Sequence, residues 1–587
     1  MEPETKNCQN CKKDFVIEME DFNFYEKIKV PPPTWCPECR MKRRMVFRNE
    51  RKLFRQKDML SGESILAIYP TETSLVIKDK DWWSQDKWNP LDYGIDIDFS
   101  KPFLEQIFDL SKKVPKYQSA STNMINSDYS ANASDLRNCY LMFNSNFTED
   151  CAYGNGVDFS RNCYDNSHIQ KSERCYESFW LTNCYETHFS SQCDNCISLW
   201  FSKNCKDCQN CFGCVNQRSK KYCIFNVQYS KEEYEEKLRD MNLHSWNSII
   251  DNGKRAKDFW LKFPNKYIQG IQNKDVSGEY ISHSKNVKNS YLIRESEDLK
   301  YVQYSQVPSS RDCMDCSLIG CHSELFYEDC ICGWGATNLR FCCECWDGGR
   351  EFEYSMFCGR TASNLFGCVG ITKQQYCILN KQYSKEEYFE LREKIIKHMN
   401  KNPYIDQKGR VYKYGEFFPP EFSPFAYDQT TIAEHFPSNK EEAEKLGVWW
   451  QDNNPNEYKI TMSFSDISDL IEDVEEKIIK EVIECSKCGR AYRIIEPEFK
   501  FLKQMNIPVP RSCVDCRHYS RISQRNKSKI YPRNCMCEGK DSKDNIYQNT
   551  VEHFHGNSSC PNEFETSYSP DRSDIVYCEK CYHQEVY

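Results

Sequence analysis

The sequence predicts a mainly β protein: two cysteine/aromatic-rich β-solenoid arrays with capping helices, flanked by zinc ribbon domains at both ends. Three observations predict it. A segment with two CxxC knuckles stands near the start of the chain and again near its end. Between them, cysteines recur at a near-fixed step, and this cysteine-marked region itself occurs twice.

The ribbons come first. Twenty-four residues separate Cys8-x-x-Cys11 from Cys36-x-x-Cys39, and the same number separates Cys485-x-x-Cys488 from Cys513-x-x-Cys516. The two segments align without a gap at an offset of 477, with Phe22/Phe499, Phe24/Phe501, Pro31/Pro508, Arg40/Arg517 and Asn49/Asn526 coinciding. Each knuckle supplies two thiolates from one tight turn, so two knuckles complete a tetrahedral zinc site. This assigns zinc ribbons to 1–47 and 485–530. The second copy continues with Cys535, Cys537, Cys578 and Cys581, where the aligned first copy has Asp58, Leu60, Lys78 and Asp81. Core cysteines vary independently, whereas ligands of one ion are kept or lost as a set. These four therefore read as a further zinc site within 531–587, and 48–118 as a metal-free ribbon-like module and linker. About three zinc ions per chain are expected. Nearby His553, His555 and Cys560 could substitute as ligands, but the preferred reading places them in a solvated insertion.

In the middle of the chain, cysteines fall at 139, 151, 163, 175, 184, 193, 205, 214 and 223, in steps of twelve or nine. Each is accompanied by a short apolar or aromatic run, and polar turns such as Asn144-Ser145-Asn146 and Ser202-Lys203-Asn204 intervene. Short strands at regular intervals predict a β-solenoid with an inward cysteine ladder, two steps giving a rung of ~18–24 residues. The segment from Cys211 to Leu238 aligns with Leu365 to Arg392 at an offset of 154. This places array 1 at 119–230 and array 2 at 276–383. Ser230 with Glu233, and Ser384 with Glu387, form capping boxes whose helices close the open solenoid ends. A helical capping segment occupies 231–275. The stretch 384–484 holds a capping helix, an aromatic and proline-rich segment, and an acidic helix over 466–484. Asp469, Glu472, Asp473, Glu475 and Glu476 read as that helix's solvated face, with docking to a basic ribbon helix as the alternative. Cys205, Cys208, Cys211 and Cys214 are close enough to hold a cluster or an ion, but the aligned positions in array 2 are Gly359, Ala362, Leu365 and Cys368. That favours solenoid core and leaves metal binding there open.

Composition narrows the function. The net charge of −9 argues against a chain that coats nucleic acid globally. Mean hydropathy is −0.78, and no run approaches the ~18 apolar residues of a membrane span. The N-terminus is polar, with no secretory signal visible, and CxxC knuckles among 36 cysteines point to a reducing cytoplasm. Arg40, Arg44, Arg48 and Lys52 fall on one face of a predicted helix, repeated by Arg517, Arg521, Arg525 and Lys529. Two readings stand for this stripe: contacts to nucleic-acid phosphates, or ion pairs with acidic surface in a chain holding 87 Asp and Glu.

There is no P-loop, GxSxG, HExxH or Rossmann fingerprint, and no catalytic residue can be named. Asp135, Asp150 and Asp165 recur at fifteen-residue steps, the one pattern a carbohydrate-active solenoid would use. His168 and His188 read as packing or surface residues. The leading function is a zinc-binding, non-enzymatic structural or interaction scaffold with a protein partner. The alternatives are a nucleic-acid-binding protein and a carbohydrate-active or other enzyme on the solenoid.

The segment from Cys8 to Arg40, with Phe24, Tyr25, Pro33 and its four cysteines, resembles the probable zinc-ribbon domain family. The second copy keeps the cysteines, Pro510 and Arg517 but has Leu502 for the tyrosine. Over nearly its full length, through the stretches 82–106, 376–388 and 414–427, the chain also resembles a family of uncharacterised proteins from uncultivated small-genome bacteria. The first resemblance implies zinc; the second implies no function.

Overall fold

The computed structural model describes residues 2–59, 61–84, 88–305, 309–451, 458–540 and 547–587. Both arrays are parallel β-solenoids, and their structural unit is three residues. Asn183, Glu186, Phe189, Gln192, Asn195, Ser198, Phe201 and Asn204 all adopt φ between 46° and 58°, and the pattern runs through most of array 1. Each left-handed residue turns a corner, and four three-residue sides close one rung. Strands therefore pair with the next rung twelve residues on: Ser167 with Phe179 and Phe179 with Ser191 on one side, Tyr185 with Ile197 and Ile197 with Gln209 on another. The rung is thus shorter than the expected two cysteine steps. In array 2 the step lengthens to thirteen across Glu324, Thr337, Arg350 and Ser363, then returns to twelve at Gln375.

The residue after each left-handed corner points inward. Cys184, Thr187, Ser190, Cys193, Cys196, Leu199, Ser202, Cys205, Cys208, Cys211 and Cys214 are each no more than 2% exposed. So narrow an interior selects small side chains, and thiol and hydroxyl do the same work in it. Cys163 Sγ donates to the Arg161 carbonyl at 3.2 Å, as Ser172 Oγ donates to Gln170 at 2.9 Å. Thiol and hydroxyl alike also accept from the next rung: Cys151 Sγ accepts from Cys163 N at 3.2 Å, and Ser172 Oγ from Cys184 N at 3.1 Å. Cysteine steps of twelve and nine are both multiples of three for this reason. Cys163→Ser is accordingly expected to cost no more than about 1 kcal/mol. Cys163→Leu overfills the bore and should cost about 1–3 kcal/mol. Urea midpoints of the far-UV signal, wild type against each variant, check both.

Outside, the corners form ladders. Asparagine tolerates the left-handed region, and Asn126 donates to Asn138, and Asn138 to Asp150, at 3.2 and 3.0 Å. Aromatic corners stack rung on rung, Phe147 on Phe159 at 4.9 Å and Phe189 on Phe201 at 5.0 Å, which offsets backbone strain that asparagine avoids.

Each array ends as its sequence predicts. Ser230 Oγ accepts from Glu233 N while Glu233 Oε2 accepts from Ser230 N, and Ser384 and Glu387 repeat this. The last strand edge is covered by a short antiparallel return, Val227–Gln228 on Lys221–Ile224 and Lys381–Gln382 on Gln375–Ile378. Helices Lys231–Asp240 and Lys385–Lys401 follow. The arrays also pack side by side, with Phe179 and Trp180 against Tyr280 at 5.5 and 4.7 Å.

The acidic segment differs from expectation. It is not an α-helix but three 3-10 turns, Phe464–Asp466, Ile471–Asp473 and Glu476–Lys480. Ile467, Ile471, Val474 and Ile478 are buried against Phe499, Phe501 and Leu502, so packing against the C-terminal ribbon dictates the path. Asp469 is not merely solvated: it accepts from Ser245 Oγ at 2.5 Å and Asn247 N at 3.0 Å, capping the Trp246–Trp260 helix.

Candidate metal centres and the helices behind them

The first knuckle of each ribbon sits after a short strand: Glu4–Asn7 leads to Cys8, and Ile483–Glu484 to Cys485. A left-handed residue closes each knuckle, Lys12 (φ 60°) in one and Gly489 (φ 69°) in the other. The second knuckle opens a helix. Cys36 caps Pro37–Met45 and Cys513 caps Val514–Ile522, where the helix N-terminus favours negative sulfur. Across each pair, Cys36 N donates to Cys8 Sγ and Cys513 N to Cys485 Sγ, both at 3.2 Å.

In each ribbon the four sulfurs lie within 4.8 Å of one another. Cys11 and Cys36 are 3.8 Å apart, Cys488 and Cys513 3.7 Å. A tetrahedron with Zn–S bonds of ~2.3 Å has edges of about 3.8 Å. These contacts are far too long for disulfides, and all the cysteines are free. Thiols so crowded cannot all ionise unaided. Hydrogen bonds from Cys36 and Cys39 hold Cys8 far below the usual thiol range, whereas Cys36, despite a bond from Cys39, is pushed up to about 12 by Cys8 and by burial. A divalent cation at the centre would resolve that conflict.

The C-terminal module departs from the predicted set. Cys535, Cys578 and Cys581 come together with Cys560, not with Cys537, and all four are buried. Cys537 instead meets His553, His555 and, again, Cys581. Cys560 is 6% exposed and His553 3%, so they do not belong to a solvated insertion. The comparison of the two halves also shifts by one residue. Strands Phe54–Lys57 and Ser64–Ala67 match Tyr531–Asn534 and Glu563–Thr566, and Ile77–Lys78 matches Val576–Tyr577. Asp79, not Lys78, is then the counterpart of Cys578. Asp79 N donates to Asp58 Oδ2 at 2.9 Å where Cys578 N donates to Cys535 Sγ at 3.2 Å. In the first half a carboxylate takes the acceptor role of the sulfur.

The basic stripe is turned inward. Its helices end at Met45 and Ile522, so only Arg40, Arg44, Arg517 and Arg521 lie on them. Arg40 pairs with Asp315 at 2.7 Å. Arg43 and Arg44 reach Glu328 at 2.9 and 3.3 Å, and Arg43 also reaches Glu416 at 2.7 Å. In the second copy Arg517 pairs with Asp165 (3.1 Å) and Glu498 (3.0 Å), and Arg521 with Asp165 (3.2 Å) and Glu177 (2.9 Å). Arg48 and Arg525 are also buried; of the two lysines, which are not turned inward, Lys52 is half-buried and pairs with Asp515 at 2.9 Å, and Lys529 is exposed beside Tyr531. The arginines of each helix thus bridge successive rungs of a solenoid, and, buried there, they are out of reach of a phosphate backbone. Docking is crosswise: the N-terminal ribbon sits on array 2 and the C-terminal ribbon on array 1.

Asp135, Asp150 and Asp165 do not converge. Their fifteen-residue spacing is one twelve-residue rung plus one side, so each lies on a different corner. Asp135 accepts from Asn123, Asp150 from Asn138, and Asp165 is engaged by the ribbon arginines. Burial pushes His188 down to about 3, leaving a neutral packing imidazole. Cys205, Cys208, Cys211 and Cys214 occupy the four inward positions of one turn. Each donates to the carbonyl two residues back, at 3.2 to 3.6 Å, like the serines of neighbouring rungs.

Among the described residues, no helix is long and apolar enough to cross a membrane. No family model and no curated protein matches the chain. Among the solved structures that match, a "putative acetyltransferase from Desulfovibrio desulfuricans G20" aligns over 49% of this chain and 86% of its own, at 9% identity. Its TM-score is 0.11, a likeness that carries no argument about fold or function.

Proposed function

We propose that this chain is a non-enzymatic scaffold whose ends are folded by zinc and clasped onto a double solenoid that presents surface to a protein partner. The observation that carries it is closure: among the described residues, every candidate metal group offers four protein ligands. Catalytic zinc keeps a position open for water or substrate; structural zinc does not. The helix behind each ribbon spends its arginines on the solenoid flank, which supports a clasping role. Phe147 and Phe159, stacked and about half exposed (51% and 52%), offer an apolar ladder for a partner. Free thiols throughout support a reducing, cytoplasmic setting.

The test is substitution of the metal by cobalt. Protein purified without added metal should contain zinc and no iron. Its cobalt form should show tetrahedral thiolate spectra that added azide or cyanide leaves unchanged. A spectral shift with added ligand would reveal an open coordination position and overturn the structural role; iron would overturn the choice of metal.

A further inference from the structure

Two ligand groups in the C-terminal module share one sulfur. Cys535, Cys560, Cys578 and Cys581 form one group; Cys537, His553, His555 and Cys581 form the other. Within each, every ligand atom lies within 4.8 Å of the rest. We propose that this module holds a binuclear centre, two zinc ions bridged by the Cys581 thiolate. It rests on the zinc chemistry proposed for the ribbons, but its geometry is its own.

Seven residues supply the eight tetrahedral positions of two ions only if one ligand counts twice. A thiolate has lone pairs enough to bind two cations, and Cys581 is the residue common to both groups. One ion would then sit among four sulfurs and the other between two sulfurs and two imidazoles. Five thiolates against two divalent cations leave a net charge of −1. The N-terminus of the Glu579–Val586 helix, capped by Cys578, faces that charge favourably.

The histidines carry the case furthest, because their hydrogen bonds decide which nitrogen is bare. His555 Nδ1 lies 2.6 Å from the Ser558 carbonyl, which can only accept. Nδ1 therefore carries the proton, and the unprotonated Nε2 lies 3.4 Å from Cys581 Sγ. His553 uses the opposite nitrogen. Its Nε2 lies 3.1 Å from Glu585 Oε2, and Glu585 is buried and held by Tyr547 Oη and by the Thr550 amide and hydroxyl at 2.8 to 2.9 Å. Nδ1 is left bare, 3.2 Å from Cys537 Sγ. A carboxylate or carbonyl behind each imidazole is the usual outer support of a metal-binding histidine.

The sulfurs are supported in the same way. Asn549 Nδ2 donates to Cys537 Sγ at 3.0 Å, with its own oxygen fixed by Tyr577 Oη at 2.8 Å. Asn562 Nδ2 donates to Cys578 Sγ at 3.2 Å. Cys560 and Cys578 are 3.9 Å apart, again close to a tetrahedral edge. With a single ion in the four-sulfur group, Cys537, His553, His555 and their supports would be a buried polar cluster without a cation. Asn549, His553, His555 and Cys560 all lie between strands Tyr531–Asn534 and Glu563–Thr566. The first half joins its matching strands, Phe54–Lys57 and Ser64–Ala67, by a short turn.

Native mass spectrometry of the full chain, purified without added metal, tests the count. About four zinc ions are expected, one per ribbon and two in this module. Cys537→Ser should remove one ion, and Cys581→Ser two. A chain holding about three, with the count unchanged in Cys537→Ser, overturns the second ion. Cys8→Ser with Cys485→Ser empties the ribbons separately, so failure there is distinguishable from failure here. The bridge has its own readout in wild-type protein, which does not depend on Cys581→Ser folding. With cadmium-113 in place of zinc, the module should give two resonances, one from a four-sulfur and one from a mixed sulfur–nitrogen environment, split by coupling through the shared sulfur. Two uncoupled resonances overturn the shared thiolate.

Discussion

Glu328→Ala is expected to destabilise the docking of the N-terminal ribbon by about 3–5 kcal/mol, the cost of leaving buried cations without their anion. Glu328 is fully buried and lies within 3.5 Å of Arg40, Arg43 and Arg44. Burial raises its pKa, and Arg43 and Arg44 pull it back down. Asp315 and Glu416 cannot take over three guanidinium groups, because they already hold Arg40 and Arg43. Trp35, over which Arg43 stacks at 4.5 Å, is itself fully buried. A chain of this size need not unfold in one step, so the effect is best read locally. Hydrogen exchange should rise by about two to four orders of magnitude over 35–48 and 315–330, while array 1 is unchanged. Glu324→Ala is the control: its pair with Arg311, 2.7 Å apart, is exposed and screened by water, so its loss should leave exchange over both segments unchanged. Equal effects from the two substitutions would show that the buried cluster does not hold the ribbon.

Cys36→Ser should have the second large effect, and of a different kind. On the metal role proposed above, serine binds zinc poorly, so one ion is lost and the whole ribbon loses the energy that folds it; for isolated zinc modules that energy is about 10–16 kcal/mol. Mass spectrometry should show one zinc fewer, and limited proteolysis should cut within 1–34 while 119–383 resists. Cys163→Ser gives the contrast: the same chemical change, deep in array 1, should leave both the zinc count and the proteolytic pattern as they were. Were Cys36→Ser to keep its full metal content, the first ribbon would not be a zinc site.

Much of this architecture was legible in the sequence. The knuckle spacing located the thiol clusters, and the Ser-x-x-Glu boxes located the array ends, because both depend on local chemistry at fixed offsets. The rung length was not, since cysteine is only one of several small residues that satisfy an inward position. Ser172, Thr187 and Leu199 occupy the same phase and hide the three-residue period. The direction of the arginine stripe was equally hidden: periodic charge says that a helix has a basic face, not what covers it. His553, His555 and Cys560 fell in an insertion with no counterpart in the first half. The rule that ligands are kept or lost together applied to them too, and it identified only part of the set because the alignment stopped at the insertion.

The crosswise clasp also has a consequence for how the chain is made. Asp165 waits for Arg521, 356 residues downstream. At ~5–20 residues per second, array 1 leaves the ribosome roughly 20–70 s before the helix that neutralises its buried aspartate exists. The N-terminal ribbon likewise emerges finished, with its arginines bare, long before Glu328 is translated. Until their partners are made, the N-terminal ribbon displays uncompensated cations and array 1 uncompensated anions, each matched in opposite sign by an element translated later, array 2 for the ribbon and the C-terminal ribbon for array 1.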